Sequence, residues 1–439
     1  MDILLIAVAA LLGLYMAWNI GANDVANSMA DAVGSGALSV KQAVILAGIC
    51  EFAGAVLVGS HVTDTVRSGI VDPNMLAALP GITPSEAATL MVIGMTAALL
   101  SSAFWLHFSS WTGMPVSTTH SIVGAIAGFG IVAAGWHSVN WHKMGQIVAS
   151  WFISPIVGGL LAFLLFKFIS HAILMQDRPA RAAIKYTPFI VFLMAGVVTL
   201  ATIYKGLTHV IKNLGWMNDQ VSLLIALGIS ILSWIVSSRL IRKKLEGKER
   251  LPLPQQLALV EEVYTPIVIV SSCAVAFAHG ANDVANSVGP LAAVAHIVQN
   301  GSIEMQVGVP FWILALGGGG IVLGLATFGY KVMDTVGTKI TEITPSRGVA
   351  ADLAATATVL VCTRLKLPVS TTHTLVGAIL GIGLARGLGG VNRAVTRKIF
   401  GSWLFTVPAA ALLSMLLFLL CHLFFFDLVK SVIETNARL

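Results

Sequence analysis

Charged side chains are scarce in this 439-residue chain, where Asp, Glu, Lys and Arg make up 10% of the residues and apolar residues 56%. An ordinary soluble domain carries about 25% charged residues, so this chain cannot cover itself with a water-facing surface. Apolar stretches of about 18 or more residues can cross the hydrocarbon core of a bilayer as helices. The composition therefore predicts an all-α polytopic membrane protein in contact with a lipid bilayer.

Cysteine is also scarce, and the four cysteines lie singly in apolar segments without CxxC spacing. We expect inert, buried thiols rather than a metal site or disulfides. The sequence has no phosphate-binding P-loop and no Ser/His/Asp set in a plausible order, so an enzyme is not expected, nor is a cofactor. The net charge of +6 comes from Lys and Arg in short loops, which fix membrane orientation; a nucleic-acid partner is not expected.

About twelve transmembrane or re-entrant helical segments are predicted from the apolar runs. They begin near Ile3, Gln42, Ala87, Met114, Met144, Pro188, Gln220, Tyr264, Pro310, Val349, Pro368 and Lys398.

Two motifs occur twice. The octapeptide Gly-Ala-Asn-Asp-Val-Ala-Asn-Ser at 21–28 returns unchanged at 280–287, and Pro-Val-Ser-Thr-Thr-His at 115–120 returns at 368–373. An Asn-Asp pair inside an apolar run is costly unless it binds something, and its exact repetition makes chance a poor explanation. The chain therefore contains two copies of one unit.

We predict these copies at 1–170 and 264–439, joined by two helices and a basic loop within 171–263. Six Lys and Arg residues at 239–250 place that loop in the cytoplasm, and its Leu-Pro-Leu-Pro-Gln-Gln stretch predicts a linker. Seven segments separate the starts of the copies. Because this number is odd, the copies have opposite orientations, as in inverted-repeat secondary transporters. Both termini would then lie outside the plasma membrane, or the inner membrane of a bacterium.

The Pro-Val-Ser-Thr-Thr-His motif predicts the start of a helix, because proline suits the first turn and the hydroxyls follow it. Free N–H groups and the helix dipole make such a terminus attractive to an oxyanion. We expect each motif at the tip of a helical hairpin that stops near the membrane midplane. Ordinary helix capping is the alternative. The predicted anion-binding residues are Ser117, Thr118, Thr119, Ser370, Thr371 and Thr372.

The Gly-Ala-Asn-Asp element predicts a broken helix, because glycine interrupts the apolar run and Asn and Asp favour local side-chain-to-backbone bonds. Carboxylate and amide oxygens suit Na⁺, and amide N–H groups can donate to an anion. The residues predicted to bind both ions are Asn23, Asp24, Asn282 and Asp283. Asn27 and Asn286 are predicted to add Na⁺ ligands.

Hydrogen bonding between helices is the alternative role for these polar residues. It accounts well for Asn27 and Asn286 but poorly for Asp24 and Asp283, which have no Lys or Arg nearby in the sequence.

Three further polar residues have no assigned role from sequence. His120 and His373 follow the threonines, and a histidine in a capped apolar turn is more often structural than a ligand. Glu51 lies inside an apolar segment, but its repeat partner at an offset of 270 is Ile321. The internal symmetry therefore does not require Glu51, and structural and functional interpretations are equally good.

Taken together, the paired motifs resemble the inorganic phosphate transporter (PiT) family over nearly the whole chain. The Gly-Ala-Asn-Asp form is similar to the sodium-coupled branch, whereas proton-coupled bacterial relatives tend to carry a variant there. The resemblance implies symport of inorganic phosphate with Na⁺ into the cell, re-entrant hairpins and a possible homodimer. A sulfate or proton-coupled oxyanion permease is an alternative, because the family includes sulfate permeases. An anion-selective channel is an alternative from another class.

Overall fold

The structure, a computed structural model, describes residues 2–59, 70–71, 76, 80–207, 218–303, 308–365 and 369–437. Within these ranges the chain forms helices and no β-strand, apart from one isolated bridge between Val71 and Val139. The prediction of an all-α protein is confirmed. The predicted segment start at Pro368 lies outside the described residues.

Five helices form the first half of the chain: α1 (Asp2–Ile20), α2 (Val40–Val58), α3 (Pro84–Trp111), α4 (Thr118–Ala134) and α5 (Trp141–Ile169). Two helices link the halves: α6 (Pro179–Ala201) and α7 (Asp219–Leu245). The second half contains α8 (Leu253–Asp283), α9 (Ala285–Asn300), α10 (Phe311–Phe328), α11 (Pro345–Arg364), α12 (Thr371–Ala385) and α13 (Arg393–Asn436).

Shorter helical segments extend several of these helices. They are Gly21–Val25, Ala26–Ser28 and Ala30–Gly34 after α1, Ser170–Leu174 after α5, Thr202–Leu207 after α6, and Tyr330–Asp334 and Thr335–Lys339 after α10. The single-turn helices Trp136–Ser138 and Leu388–Gly390 precede α5 and α13.

Nine helical stretches of the described chain are long and apolar enough to cross a membrane, while α4 and α12 are apolar but shorter. Large apolar side chains on α5, α7 and α13 point outward, including Leu160, Leu232 and Leu423. In water such a surface would promote aggregation, whereas in a bilayer it is the expected lipid-facing surface. The chain is an integral membrane protein.

Two helices begin earlier than their apolar cores suggest. α6 begins at Pro179 and α8 at Leu253, because hydropathy marks the lipid-buried part of a helix and not its polar first turns. The linker predicted at Leu-Pro-Leu-Pro-Gln-Gln is therefore largely wrong. The first N–H groups of a helix have no acceptor within the helix, so a proline there loses no hydrogen bond. Proline is therefore compatible with the start of α8.

The short helices α4 and α12 return beside α3 and α11 and so form two hairpins. Glu342, just before α11, binds Arg386, just after α12, at 2.6 Å. At the other hairpin, the Asn140 N–H after α4 donates to the Ile70 carbonyl before α3 at 2.9 Å. Each hairpin therefore enters and leaves on one side of the bundle.

The helices α1, α2, α3, α4 and α5 of the first copy correspond, in that order, to α8, α10, α11, α12 and α13 of the second. Contacts between helices occur in pairs that this correspondence relates. Thus α2 packs on α8 as α10 packs on α1, and α5 packs on α12 as α13 packs on α4. Each of these contacts joins one half of the chain to the other. This pattern is what two copies related by a two-fold axis would produce, and it supports the proposed repeats at 1–170 and 264–439.

Glycines permit the closest of these contacts. A Cβ at Gly21 would overlap the Ile321 carbonyl, and a Cβ at Gly324 would overlap the Trp18 carbonyl, so α1 and α10 touch backbone to backbone. The equivalent contacts between α2 and α8 are those of Gly280 with Glu51 and Gly54 with Phe277. Small residues allow this approach in membrane bundles, where dispersion contacts hold helices together. The single glycine of each octapeptide, Gly21 or Gly280, is therefore a packing residue.

Candidate functional site

The two octapeptides interrupt regular helix at buried positions, but in different ways. In the first copy, Gly21–Val25 forms a π-helical turn. In the second, α8 continues through Asp283 and α9 begins two residues later. Asp24 and Asp283 are almost completely buried, at 3% and 2% exposed. Such interruptions free backbone groups and bring polar side chains together inside the bundle.

The serines of both hairpin motifs are helix caps. Ser117 Oγ accepts from the His120 N–H at 3.2 Å at the start of α4, and Ser370 Oγ accepts from the His373 N–H at 3.2 Å at the start of α12. The capping interpretation therefore applies to the serine of each motif. Of the threonines that follow, Thr118, Thr119 and Thr372 contact side chains of the octapeptides.

Asn23 fastens the tip of the first hairpin to α1. Its Nδ2 donates to Ser110 Oγ at 3.1 Å and to the Met114 carbonyl at 3.0 Å, and its Oδ1 accepts from the Val116 N–H at 2.9 Å. Both amide N–H groups are thus used within the protein. These contacts favour a positioning role for Asn23.

Asp24 joins both hairpins. Its Oδ2 accepts from Thr118 Oγ1 at 2.8 Å, and its Oδ1 accepts from Thr372 Oγ1 of the opposite half. Asn27 Nδ2 lies 3.3 Å from both Asp24 Oδ1 and Thr372 Oγ1. One carboxylate therefore contacts the first turn of α4 and the first turn of α12.

Asp283 repeats this arrangement from the other side. Thr119 Oγ1, from the opposite half, lies 3.5 Å from Asp283 Oδ1. Asn286 Nδ2 lies 3.1 Å from Thr119 Oγ1 and 3.3 Å from Thr118 Oγ1, and Asn282 Nδ2 donates to Asp283 Oδ1 at 2.8 Å. Each octapeptide thus contacts the hairpin of the other copy.

His279 and Glu51 complete the cluster, and sequence analysis did not place His279 there. His279 Nε2 lies 2.8 Å from Asp283 Oδ2 and 3.6 Å from Asp24 Oδ2, while His279 Nδ1 lies 3.1 Å from Glu51 Oε1. The ligand atoms of Asp24, His279 and Asp283 lie within 4.8 Å of one another. These three buried residues form a candidate cation site to which each offers one ligand atom.

The internal repeat did not predict the pairing of His279 with Glu51, because the equivalent residues of the other copy are apolar. At offsets of 259 and 270, His279 and Glu51 correspond to Ile20 and Ile321, which are fully buried. A hydrogen-bonded pair in the α2–α8 contact thus replaces an isoleucine pair in the α1–α10 contact. The available signal was the position of His279 directly before the second octapeptide.

A cavity of about 60 Å³ has Asp24 on its wall. Its polar lining consists of Asp24, Asn27, Ser28, Thr202, His279, Thr356, Thr371 and Thr372, and small or apolar side chains of α6, α8, α11 and α12 form the rest. Thr371 is thereby placed on the cavity wall rather than against a carboxylate. Sites for small ligands are commonly apolar clefts with a few convergent polar groups.

His120 and His373 lie apart from the carboxylates and face each other, with ring centroids 4.9 Å apart. His373 stacks on Trp403 at 3.8 Å, and His120 lies 5.5 Å from Trp151, its repeat equivalent. Trp403 Nε1 donates to the Pro115 carbonyl at 2.8 Å. These contacts favour the structural interpretation of both histidines.

The arrangement suits an anion held between cations. The N-termini of α4 and α12 supply N–H groups and positive dipole potential, and the threonine hydroxyls can donate or accept. The carboxylates repel an anion unless cations neutralise them, so a tetrahedral oxyanion and hard monovalent cations would support each other here.

Known proteins are similar to this chain in sequence and fold. A model of the phosphate transporter family matches residues 20–414. The chain is 44% identical over 409 residues to a protein of Pyrococcus abyssi whose name gives it provisionally as a phosphate permease, covering 93% of this chain and 96% of that one. It is 40% identical to inorganic phosphate transporter 2-1, chloroplastic, of Arabidopsis thaliana, covering 92% and 70%. A solved structure described as the sodium-dependent phosphate transporter superposes with a TM-score of 0.82 at 40% identity, covering 96% and 99%.

Proposed function

Because the chain belongs to the phosphate transporter family, we propose that it is a secondary active transporter that carries inorganic phosphate into the cell together with Na⁺. The observation that carries this proposal is the meeting of two buried aspartates with hydroxyls at the N-termini of both hairpin helices. The similar solved structure is that of a transporter described as sodium-dependent, which supports the choice of cation.

Each ion has a defined part of this site. Phosphate would lie at the N-termini of α4 and α12, near Thr118, Thr119, Thr371 and Thr372. Na⁺ would bind the oxygens of Asp24, Asn27, Asp283 and Asn286, as hard cations prefer. The serines Ser117 and Ser370 would act by capping the two helices, and Asn23 by holding the first tip. Asn282, which binds Asp283, would orient that carboxylate.

For orientation we propose a plasma membrane location with the basic loop between α7 and α8 in the cytoplasm and both termini outside. Glu342 and Arg386 join the ends of the second hairpin on the side of that loop, where Arg393, Arg397 and Lys398 follow. A surplus of Lys and Arg in cytoplasmic loops supports this choice. A homodimer is proposed from the family resemblance alone.

Uptake of labelled phosphate into proteoliposomes tests the coupling. We expect uphill accumulation under an inward Na⁺ gradient, and none under an equal K⁺ gradient or a proton gradient alone. Accumulation driven by protons without Na⁺ would make the chain a proton-coupled permease. Phosphate flux that only ever equilibrates across the membrane would indicate a channel.

Competition between anions tests the identity of the substrate. Phosphate near neutral pH carries at least one P–O–H donor, arsenate keeps it, and sulfate has none. A site that accepts this hydrogen bond through Asp24 or Asp283 can reject an analogue without the hydroxyl by up to about 10⁴-fold. We therefore expect arsenate to compete with labelled phosphate at fixed Na⁺, and sulfate to compete poorly. Equal inhibition by both would assign the carboxylates to cations only and favour a sulfate permease.

A further inference from the structure

A second pair of buried acids lies outside the site described above. Asp31 is in the short helix Ala30–Gly34, one helical turn beyond Asn27, and its side chain is fully buried. Neither carboxylate oxygen of Asp31 has a hydrogen-bond donor. Its side chain instead interacts with that of Asp352 in α11.

Asp352 is held in place by two serines of α8. Its Oδ2 accepts from Ser271 Oγ at 2.5 Å and from Ser272 Oγ at 3.1 Å, whereas its Oδ1 has no donor. One turn earlier in α11, a Cβ at Gly348 would lie 3.3 Å from Asp31 Cβ. The backbone therefore holds the two carboxyl groups close together, with oxygens of both left unsatisfied.

The basic groups on the neighbouring elements bind elsewhere. Lys339 pairs with Asp334 at 2.7 Å, Arg347 with Glu342 at 3.5 Å, and Lys331 donates to the Trp111 carbonyl at 3.4 Å. On α8, His279 binds Glu51, and the thiol of Cys273 is the remaining titratable group that interacts with Asp352. No positive side chain of the described residues compensates the pair.

Two adjacent carboxylates cannot both stay ionised in a buried site without a counter-charge. A proton between one Asp31 oxygen and Asp352 Oδ1 removes one charge and satisfies two of the three oxygens that lack a donor. Such a pair titrates as a unit and not as two independent acids. The serines, which donate to Asp352 Oδ2, leave Asp352 Oδ1 free to accept this bond.

We propose that Asp31 and Asp352 form a proton-binding site, separate from the phosphate site, in which one proton is shared between Asp31 and Asp352 Oδ1. The shared proton ties the helical extension of α1 to α11, the first arm of the second hairpin. Loss of this proton at alkaline pH places two like charges in contact and separates these elements. Because Asn27 is one turn from Asp31, and α11 leads to Thr371 and Thr372, uptake falls at alkaline pH.

Dicyclohexylcarbodiimide, which enters membranes and reacts with protonated carboxyl groups, tests the proposal on the wild-type chain. Peptide mapping by mass spectrometry should find the adduct on Asp31 or Asp352 at neutral pH, in the absence of phosphate. Labelling should fall about tenfold for each pH unit above the pKa of the pair. An adduct on neither residue would overturn the proposal, as would labelling that Na⁺ suppresses but K⁺ does not, since the pair would then hold Na⁺.

Asp31→Asn supplies an independent readout by infrared spectroscopy. The amide donates to Asp352 in place of the proton, so the pH-sensitive carbonyl band of a protonated acid should disappear and the alkaline loss of uptake should be removed. Asp177→Asn, at an exposed loop between α5 and α6, is the matched control and should change neither. A band and an alkaline uptake profile that persist in folded Asp31→Asn would contradict the shared proton. If the variant does not fold, the carbodiimide experiment still decides.

Discussion

Replacement of Asp24 by asparagine is expected to abolish Na⁺-driven phosphate uptake while the protein stays folded. Asparagine keeps the shape of the side chain, but it removes the negative charge that balances a cation and replaces one of two acceptor oxygens with a donor. Thr118 and Thr372 donate to those two oxygens, so one of them loses its acceptor. A hydrogen bond to a charged group contributes about 1.5–3 kcal/mol, so the loss of one bond alone weakens the site by about 10-fold to 100-fold.

The same result is expected for Asp283→Asn, because Asp283 binds Thr119 and His279 from the equivalent position. Initial uptake rates in proteoliposomes under an imposed Na⁺ gradient measure the effect, and thermal unfolding in detergent reports whether each variant is folded. Asp177→Asn again serves as the control, since it removes one carboxylate from an exposed loop. Near-normal uptake by both site variants would defeat the assignment of the cation site.

The second large effect is expected from Gly324→Ala in α10. The added Cβ would overlap the Trp18 carbonyl, and a backbone carbonyl can move only if α1 itself moves. Overpacking of this kind typically costs about 1–3 kcal/mol. The displacement also reaches Asn23 and Asp24, which follow Trp18 by less than two helical turns, so uptake should fall together with stability.

Gly319→Ala, five residues earlier in the same helix, is the matched control. A Cβ there meets nothing within 4 Å, and both substitutions gain the same intrinsic helix preference of about 1 kcal/mol. The difference in unfolding temperature between the two variants in detergent therefore isolates the steric contact. If Gly324→Ala is as stable as Gly319→Ala, α1 and α10 do not pack as closely as the structure indicates.

The close crossing of α1 and α10 also changes the interpretation of the octapeptide. From sequence, Gly21 suggested a break in an apolar run. In the structure the π-helical turn begins there, but the absence of a side chain is also required by the Ile321 carbonyl of α10. The helix break and the close crossing coincide, and the second reason is visible only when both helices are in place.

The sequence alone determined the membrane environment, because no other solvent tolerates a chain with so little charge. It also determined the paired motifs, since an exact repeat can be read without coordinates. It identified Asp24 and Asp283 as candidates because no Lys or Arg lies near them in the chain. The hairpin helices were likewise predictable, because proline and serine at a helix start act locally.

The tertiary structure decided which residues meet. Asp24 binds Thr372 and Asp283 lies against Thr119, so each octapeptide meets the opposite hairpin, and these pairs are separated by 348 and 164 positions. Such contacts depend on how helices cross, which composition and periodicity do not specify. The repeat predicted symmetric partners, but it could not predict His279 with Glu51, because their counterparts are isoleucines. Helix crossing alone brings that pair to the aspartates and leaves Asp31 beside Asp352.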